Sequence, residues 1–270
     1  MLKTRVLTAL VLLPIVLAAL FGLSGMAWGS FALFICTLGA WEWARLCGWH
    51  APKTWLYAAV TVLLGGGVML FWGGLTRIHL AIALPILLFW CILVPGWLHW
   101  KWPLAKLKSA PTVGWLLLLS SWLAMVQWHE QQNGPWLLLA VLMIAWVADT
   151  AAYFSGKAFG KHKLAPTISP GKSWEGVVGA FVGVTIYGVL LVQSPLGSQL
   201  GGYAMIPAIW LLTALSIMGD LLESLFKRQA GVKDSSQLLP GHGGILDRID
   251  SQLAVLPVSS AIFVLLPLLR

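Results

Sequence analysis

The chain has 270 residues, of which 59% are hydrophobic and only 10% charged, against about 25% charged in ordinary soluble domains. With a mean hydropathy of +0.85, this excludes a soluble globular protein and points to a polytopic membrane protein. The formal net charge of +8 does not argue for a nucleic-acid partner, because the basic residues are divided by side of the membrane rather than gathered in one patch.

A spanning helix takes about 20 mainly apolar residues, and nine such stretches follow one another. They lie near 5–23, 26–47, 55–72, 77–98, 112–128, 135–155, 173–193, 203–224 and 252–269. The first carries Lys3 and Arg5 ahead of its apolar run, as a signal peptide would. No small-x-small site leads from it into a soluble domain, so it is read as a retained helix. With the N-terminus inside, the loops at 48–54, 99–111, 156–172 and 225–251 share that side. Together with residues 1–5 and Arg45 they hold fifteen of the seventeen Lys and Arg residues, leaving Arg77 and Arg270 outside. That bias follows the positive-inside rule, and an odd number of spans puts the C-terminus outside. Seventeen tryptophans suit two membrane interfaces. Cys36, Cys47 and Cys91 fall singly within or at the end of apolar segments, with neither metal spacing nor a disulfide framework.

The two halves of this single domain differ in kind. Residues 1–148 contain two acids, Glu42 and Glu130, and short loops; they read as scaffold helices. Residues 149–270 contain the other seven acids and the two long polar segments, and read as the catalytic half. In the seventh span Gly176, Gly179 and Gly183 fall on one face, a spacing that lets helix backbones approach; general glycine tolerance in membranes is the alternative.

Asp149 lies about six residues from the expected inner end of the sixth span. An acid at that depth needs a charged partner, with Lys157 or Arg248 as candidates, or a wet functional cavity. Asp220, Glu223, Ser224 and Lys227 share one face at the inner end of the eighth span, by offsets of three, four and seven. Asp247 and Asp250 open the ninth span, where acids also suit the helix dipole. Asp220 and Asp247 are the first choice as ligands of Mg²⁺, which takes one or two carboxylates together with substrate phosphates and water. Asp149, Glu223, Asp234 and Asp250 stand as alternatives.

Between those acids, Pro240-Gly241-His242-Gly243-Gly244 offers glycines whose N–H groups can approach an anion. Lys227, Arg228, Lys233 and Arg248 can neutralise phosphate oxygens. His242 has no metal-spaced partner and reads either as a site residue or as part of a turn. In the earlier polar segment, Gly171-Lys172-Ser173 imitates the tail of a P-loop, but Pro166 stands where the leading glycine belongs and no strand precedes it. Ser169 and Ser173 are expected to cap the following helix, placing Lys172 by its positive end.

Ser224, Lys227-Arg228, Lys233-Asp234, His242-Gly243-Gly244 and Asp247-Arg248-Ile249-Asp250 fill the fixed positions of a 27-residue pattern. On these residues, and on the run Ser169-Pro170-Gly171-Lys172-Ser173-Trp174-Glu175-Gly176, the chain resembles the bacterial phosphatidate cytidylyltransferases, or CDP-diacylglycerol synthases. The resemblance implies an all-α membrane enzyme that joins CTP to phosphatidic acid with release of pyrophosphate. It needs Mg²⁺, with a second cation left open. It implies catalytic roles for Lys227, Asp220, Asp247, Asp250 and Arg248. Substrate contacts would come from Ser169, Lys172, Ser224, Arg228, Lys233, Asp234, His242, Gly243 and Gly244. It further implies a homodimer in the bacterial cytoplasmic (inner) membrane, its site facing the cytoplasm. A CDP-alcohol phosphotransferase is disfavoured, because no Asp-Gly pair occurs anywhere. A cation-coupled transporter would show inverted repeats, whereas these acids crowd one half. A CTP-dependent enzyme for another lipid phosphate stays open.

Overall fold

The structure, a computed structural model, describes residues 2–70 and 75–266. Its helices are α1 (Leu2–Gly22), α2 (Gly25–Leu46), α3 (Lys53–Leu70), α4 (Leu75–Leu88), α5 (Val94–Trp100), α6 (Ala110–His129) and α7 (Gly134–Phe159), then α8 (Trp174–Val192), α9 (Ile206–Gln229), α10 (Leu246–Ile249) and α11 (Gln252–Leu265). A π-helical turn over Phe89–Leu93 joins α4 to α5. Pro95, at the start of α5, has no N–H to give to the preceding turn, which accounts for the local widening.

Among the described residues, six segments are long and apolar enough to cross a membrane: Lys53–Leu70, Arg77–Trp100, Ala110–His129, Gly134–Phe159, Trp174–Val192 and Gly202–Gln229. The sequence suggests nine. The three that fall short are helices too. The side chains of residues 1–6 and the whole of 267–270 lie outside the described residues, which trims α1 and α11; Arg270 is among them. At 14 residues, α11 spans about 21 Å, less than a hydrocarbon core of about 30 Å. In α2, Glu42 and Arg45 dilute an otherwise apolar helix.

The centre of the bundle is α11, where every residue from Gln252 to Ala261 is buried. A helix apolar all round belongs in such a position, and it packs against α4, α6, α7 and α9. The most extensive helix pair is α7 with α8. There the glycine face serves close packing: a Cβ on Gly179 would lie 1.9 Å from the Ser155 hydroxyl oxygen, and one on Gly183 would lie 2.6 Å from Ala151.

One part of the fold is not helical. Lys163–Ala165 (β1) and Ser169–Ser173 (β2) form an antiparallel hairpin, with Lys163 opposite Ser173 and Ala165 opposite Ser169. The expectation that both serines cap α8 therefore holds for one of them. Ser173 accepts a hydrogen bond from the Gly176 N–H at 3.2 Å, while Ser169 belongs to β2. At the other polar segment, α9 runs past its expected end at 224 to Gln229. It closes with Gly231 at φ 71°, the Val232 and Gly231 N–H groups bonding the carbonyls of Lys227 and Arg228, a glycine-dependent helix stop.

Candidate active site

The hairpin carries Lys172 across to α9, where its ammonium meets Asp220 Oδ2 at 2.6 Å. The Ser224 hydroxyl donates to the other oxygen of Asp220 at 3.2 Å. Lys172 and Asp220 border a cleft of about 450 Å³ lined also by Asp149, Tyr153, Lys157, Ser169 and Gly171. Asp149 has neither of its expected partners. Its charged neighbours are Asp220 and Lys172, and the Ser251 hydroxyl lies 3.5 Å away. Lys157 instead stands over the Tyr153 ring. Asp250 joins the group from the α10–α11 junction. Burial, then the like charges of Asp220 and Asp149, push its carboxyl up. Asp149, Asp220 and Asp250 thus gather around Lys172.

The shared face expected for Asp220, Glu223, Ser224 and Lys227 splits in two. Asp220 and Ser224 serve the cleft, whereas the ridge of Glu223 and Lys227, turned about 60° around the helix, serves a second, buried cluster. Lys227 pairs there with Glu223 one turn back on α9 and with Asp247 Oδ1 at 2.5 Å. The other Asp247 oxygen accepts from the Ser235 N–H at 2.9 Å, the Ser235 hydroxyl at 2.9 Å and the Gly244 N–H at 2.8 Å. Burial alone would raise the Asp247 carboxyl, but the bonds from Lys227, Gly244 and Ser235 hold it below its ordinary value.

Glu42, absent from the sequence-based site, lies behind this clasp. It is fully buried about one turn from the end of α2, where an acid must be paired or hydrogen-bonded. Four donor groups lie within hydrogen-bond distance of it: the Ser236 hydroxyl at 2.5 Å and the Ile245 N–H at 2.9 Å on Oε1, the Leu246 N–H at 2.7 Å on Oε2, and, 3.0 Å from Oε2, the Ser235 hydroxyl, whose single proton is shared between this acid and Asp247. The glycines admit these carboxylates: a Cβ on Gly243 would lie 2.7 Å from Asp247 Oδ2, and one on Gly244 would lie 2.4 Å from Glu42 Oε1. The turn expected to cradle a phosphate thus directs the N–H groups of Gly244, Ile245 and Leu246 at the protein's own acids. An acid among the scaffold helices was the one signal pointing to Glu42.

Other expected site residues lie at the surface. Arg228, Lys233, Asp234 and Arg248 are exposed, and His242 is half-buried. Among the described residues none of the three cations forms an ion pair, which leaves them available to anions. Asp220 and Asp247, the expected metal pair, each hold a different lysine. Among the described residues no three His, Cys, Asp or Glu side chains converge closely enough to hold a metal unaided. The donor chemistry still suits a hard divalent ion at the cleft, where Asp149 and Asp220 line the wall with Asp250 close behind and where substrate oxygens can complete the shell. It suits Asp247 less well: that carboxylate is buried, with Lys227 on one oxygen and three donor contacts on the other, whereas Asp220 lines the cleft and meets one ammonium and one hydroxyl. A second cavity, of about 360 Å³, lies between Trp128, Ile144, Ile209 and Phe263 and has no titratable group in its lining.

An apolar helical bundle whose polar cleft holds Asp149, Asp220, Lys157 and Lys172 defines a polytopic membrane protein with a charged site. The model of the cytidylyltransferase family matches residues 3–266, and the chain belongs to that family of nucleotidyltransferases. It is 42% identical over 272 residues to the phosphatidate cytidylyltransferase of Pseudomonas aeruginosa, covering 97% of both chains. To that of Haemophilus influenzae it is 37% identical over 294 residues, covering 96% of this chain and 98% of the relative. The Thermotoga maritima phosphatidate cytidylyltransferase is 46% identical over 132 residues, 47% of this chain.

Proposed function

We propose that the chain transfers the cytidylyl group of CTP to phosphatidic acid, leaving CDP-diacylglycerol in the membrane and releasing pyrophosphate. The observation that carries this reading is the cleft where Lys172 and Asp220 meet beside Asp149 and Asp250; transfer from a soluble nucleotide to an embedded lipid requires that it open at the membrane surface. A lipid phosphate oxygen bonds to the α-phosphorus of CTP as the bond to the β-phosphate oxygen breaks. The nucleophile comes with the substrate, so the protein's part is positioning and charge neutralisation. Lys172 neutralises phosphate oxygens from the hairpin. Arg228, Lys233 and Arg248 do so from the rim, Arg228 with a planar fork suited to the lipid phosphate. Ser169 and Ser224 offer hydroxyl donors.

Mg²⁺ would be held by Asp220 with Asp250 or Asp149, and would supply Lewis-acid neutralisation of the phosphate oxygens. Asp247, with Lys227 and Glu223, fixes the loop that carries Lys233 and His242. The proposed topology has nine crossings, α1, α2 and α11 included, in a bacterial inner membrane. The N-terminus and both polar segments face the cytoplasm and the C-terminus faces outward; the functional unit is a homodimer. The test is pyrophosphate release by the purified protein in detergent: it should require CTP, Mg²⁺ and phosphatidic acid together. Release without the lipid would sink the reading, and a cytoplasmic reporter after Arg270 would overturn the topology.

A further inference from the structure

We propose that Glu42 is a positioning residue for the proposed cytidylyl transfer, fixing the loop between α9 and α10 from the far end of the sequence. All four groups that donate to it belong to residues 235–246. None belongs to α2 or to any neighbouring scaffold helix, as would be expected of an acid that merely tied the bundle together. The contact is also shared with the clasp. The Ser235 hydroxyl lies within hydrogen-bond distance of both Glu42 Oε2, at 3.0 Å, and Asp247 Oδ2, at 2.9 Å. The two N–H groups that Glu42 holds, on Ile245 and Leu246, immediately precede Asp247 along the chain. Movement of the Glu42 carboxylate therefore moves Ser235, Gly244 and Asp247 together, and with them the ion pair to Lys227. Lys233, His242 and Arg248 ride on the same backbone. The loop is also tied to α1 by the Thr8 hydroxyl on the Pro240 carbonyl at 2.8 Å and to α9 by the Lys227–Asp247 pair; Glu42 adds four contacts from a buried helix.

Glutamine cannot replace Glu42. Each oxygen accepts one hydroxyl and one backbone N–H. A hydroxyl can rotate to become an acceptor, but a backbone N–H cannot, so an amide NH₂ in either orientation confronts a donor. Aspartate keeps both acceptors on a shorter arm.

The test uses the full chain in mixed micelles, with E42Q, E42D and S235A beside the wild type. In E42Q, amide hydrogen exchange at 244–246 should accelerate while that of α7 and α8 is unchanged. The kcat/KM for CTP should fall about tenfold or more, the size of a lost buried hydrogen bond to a charged group, while the KM for phosphatidic acid stays within about twofold. E42D should recover part of the loss. A folded E42Q with wild-type loop exchange, or with faster exchange but wild-type kcat/KM, overturns the proposal. If E42Q does not fold, S235A decides, since it removes the hydroxyl shared by Glu42 and Asp247 while leaving Glu42 and its other three donors in place. It should lower kcat/KM for CTP about threefold or more, and wild-type constants would overturn the proposal. Loop exchange does not depend on substrate identity, so failure of the positioning role is distinguishable from failure of the cytidylyl-transfer reading.

Discussion

Lys172 on the hairpin and Asp220 in the middle of α9 meet at 2.6 Å, joining the first polar segment of the chain to the helix that leads into the second. Each is only about a quarter exposed, and Asp149 and Asp250 lie around them. Asp247 belongs to a different cluster, and that separation makes the two aspartates experimentally distinguishable.

Asp220→Asn should lower turnover about 100-fold or more with little loss of stability, because it deletes a charge facing substrate and cation. Asp247→Asn should lower the thermal midpoint as well, since it weakens four contacts in a buried clasp. Its residual activity should show an unchanged Mg²⁺ requirement. Titrating Mg²⁺ against activity, with melting curves for both variants, checks this. A shifted Mg²⁺ requirement in Asp247→Asn alone would return Asp247 to the metal.

Lys227 is the one cation between two buried acids, Glu223 and Asp247. Removing one member of a buried ion cluster typically costs about 3–5 kcal/mol, because a charge is left unpaired. Lys227→Ala should therefore destabilise by that order, and adding Asp247→Asn should restore part of the loss. Denaturant unfolding of the single and double variants measures the coupling; additive losses would show that the ion pair contributes nothing of its own.

The Asp247 clasp also sets a pH dependence. Its carboxyl is held below the ordinary value of 3.8, so its contribution is complete above the unfolded value and is lost as pH falls through the folded one. The stability gap between wild type and Asp247→Asn should be flat above about pH 5 and should close in more acid solution. A gap that widened on acidification would reverse the sign and refute the clasp.

Hydropathy made the helical frame legible, down to the start of α8 within a residue of 173. It could not show which way a helix face is met. The row 220–224 and the row 223–227 look like one surface on a helical wheel, yet the hairpin approaches one and the 235–247 loop the other. The hairpin itself escaped notice because its strands are three and five residues long and carry glycine, proline and serine rather than an alternating apolar pattern. Glu42 escaped because its partners lie about two hundred residues away, a pairing that no local spacing encodes.

Arg228 ends α9 exposed, without an ion pair among the described residues. Arg228→Lys keeps the charge but loses the fork that holds two phosphate oxygens at once. The apparent KM for phosphatidic acid should rise about three- to tenfold, with kcat and the KM for CTP little changed. Steady-state kinetics in mixed micelles, varying the lipid mole fraction, reads this directly; an unchanged lipid KM would remove Arg228 from the lipid site.

The most direct test of the account follows the α-phosphorus. Purified protein in mixed micelles with phosphatidic acid and Mg²⁺ is given CTP labelled at the α-phosphorus and, in parallel, CTP labelled at the γ-phosphorus. Cytidylyl transfer predicts that the α-label enters the lipid phase as CDP-diacylglycerol, in equal amount to pyrophosphate carrying the γ-label. Lipid carrying the γ-label, or no labelled lipid from either nucleotide, would contradict it.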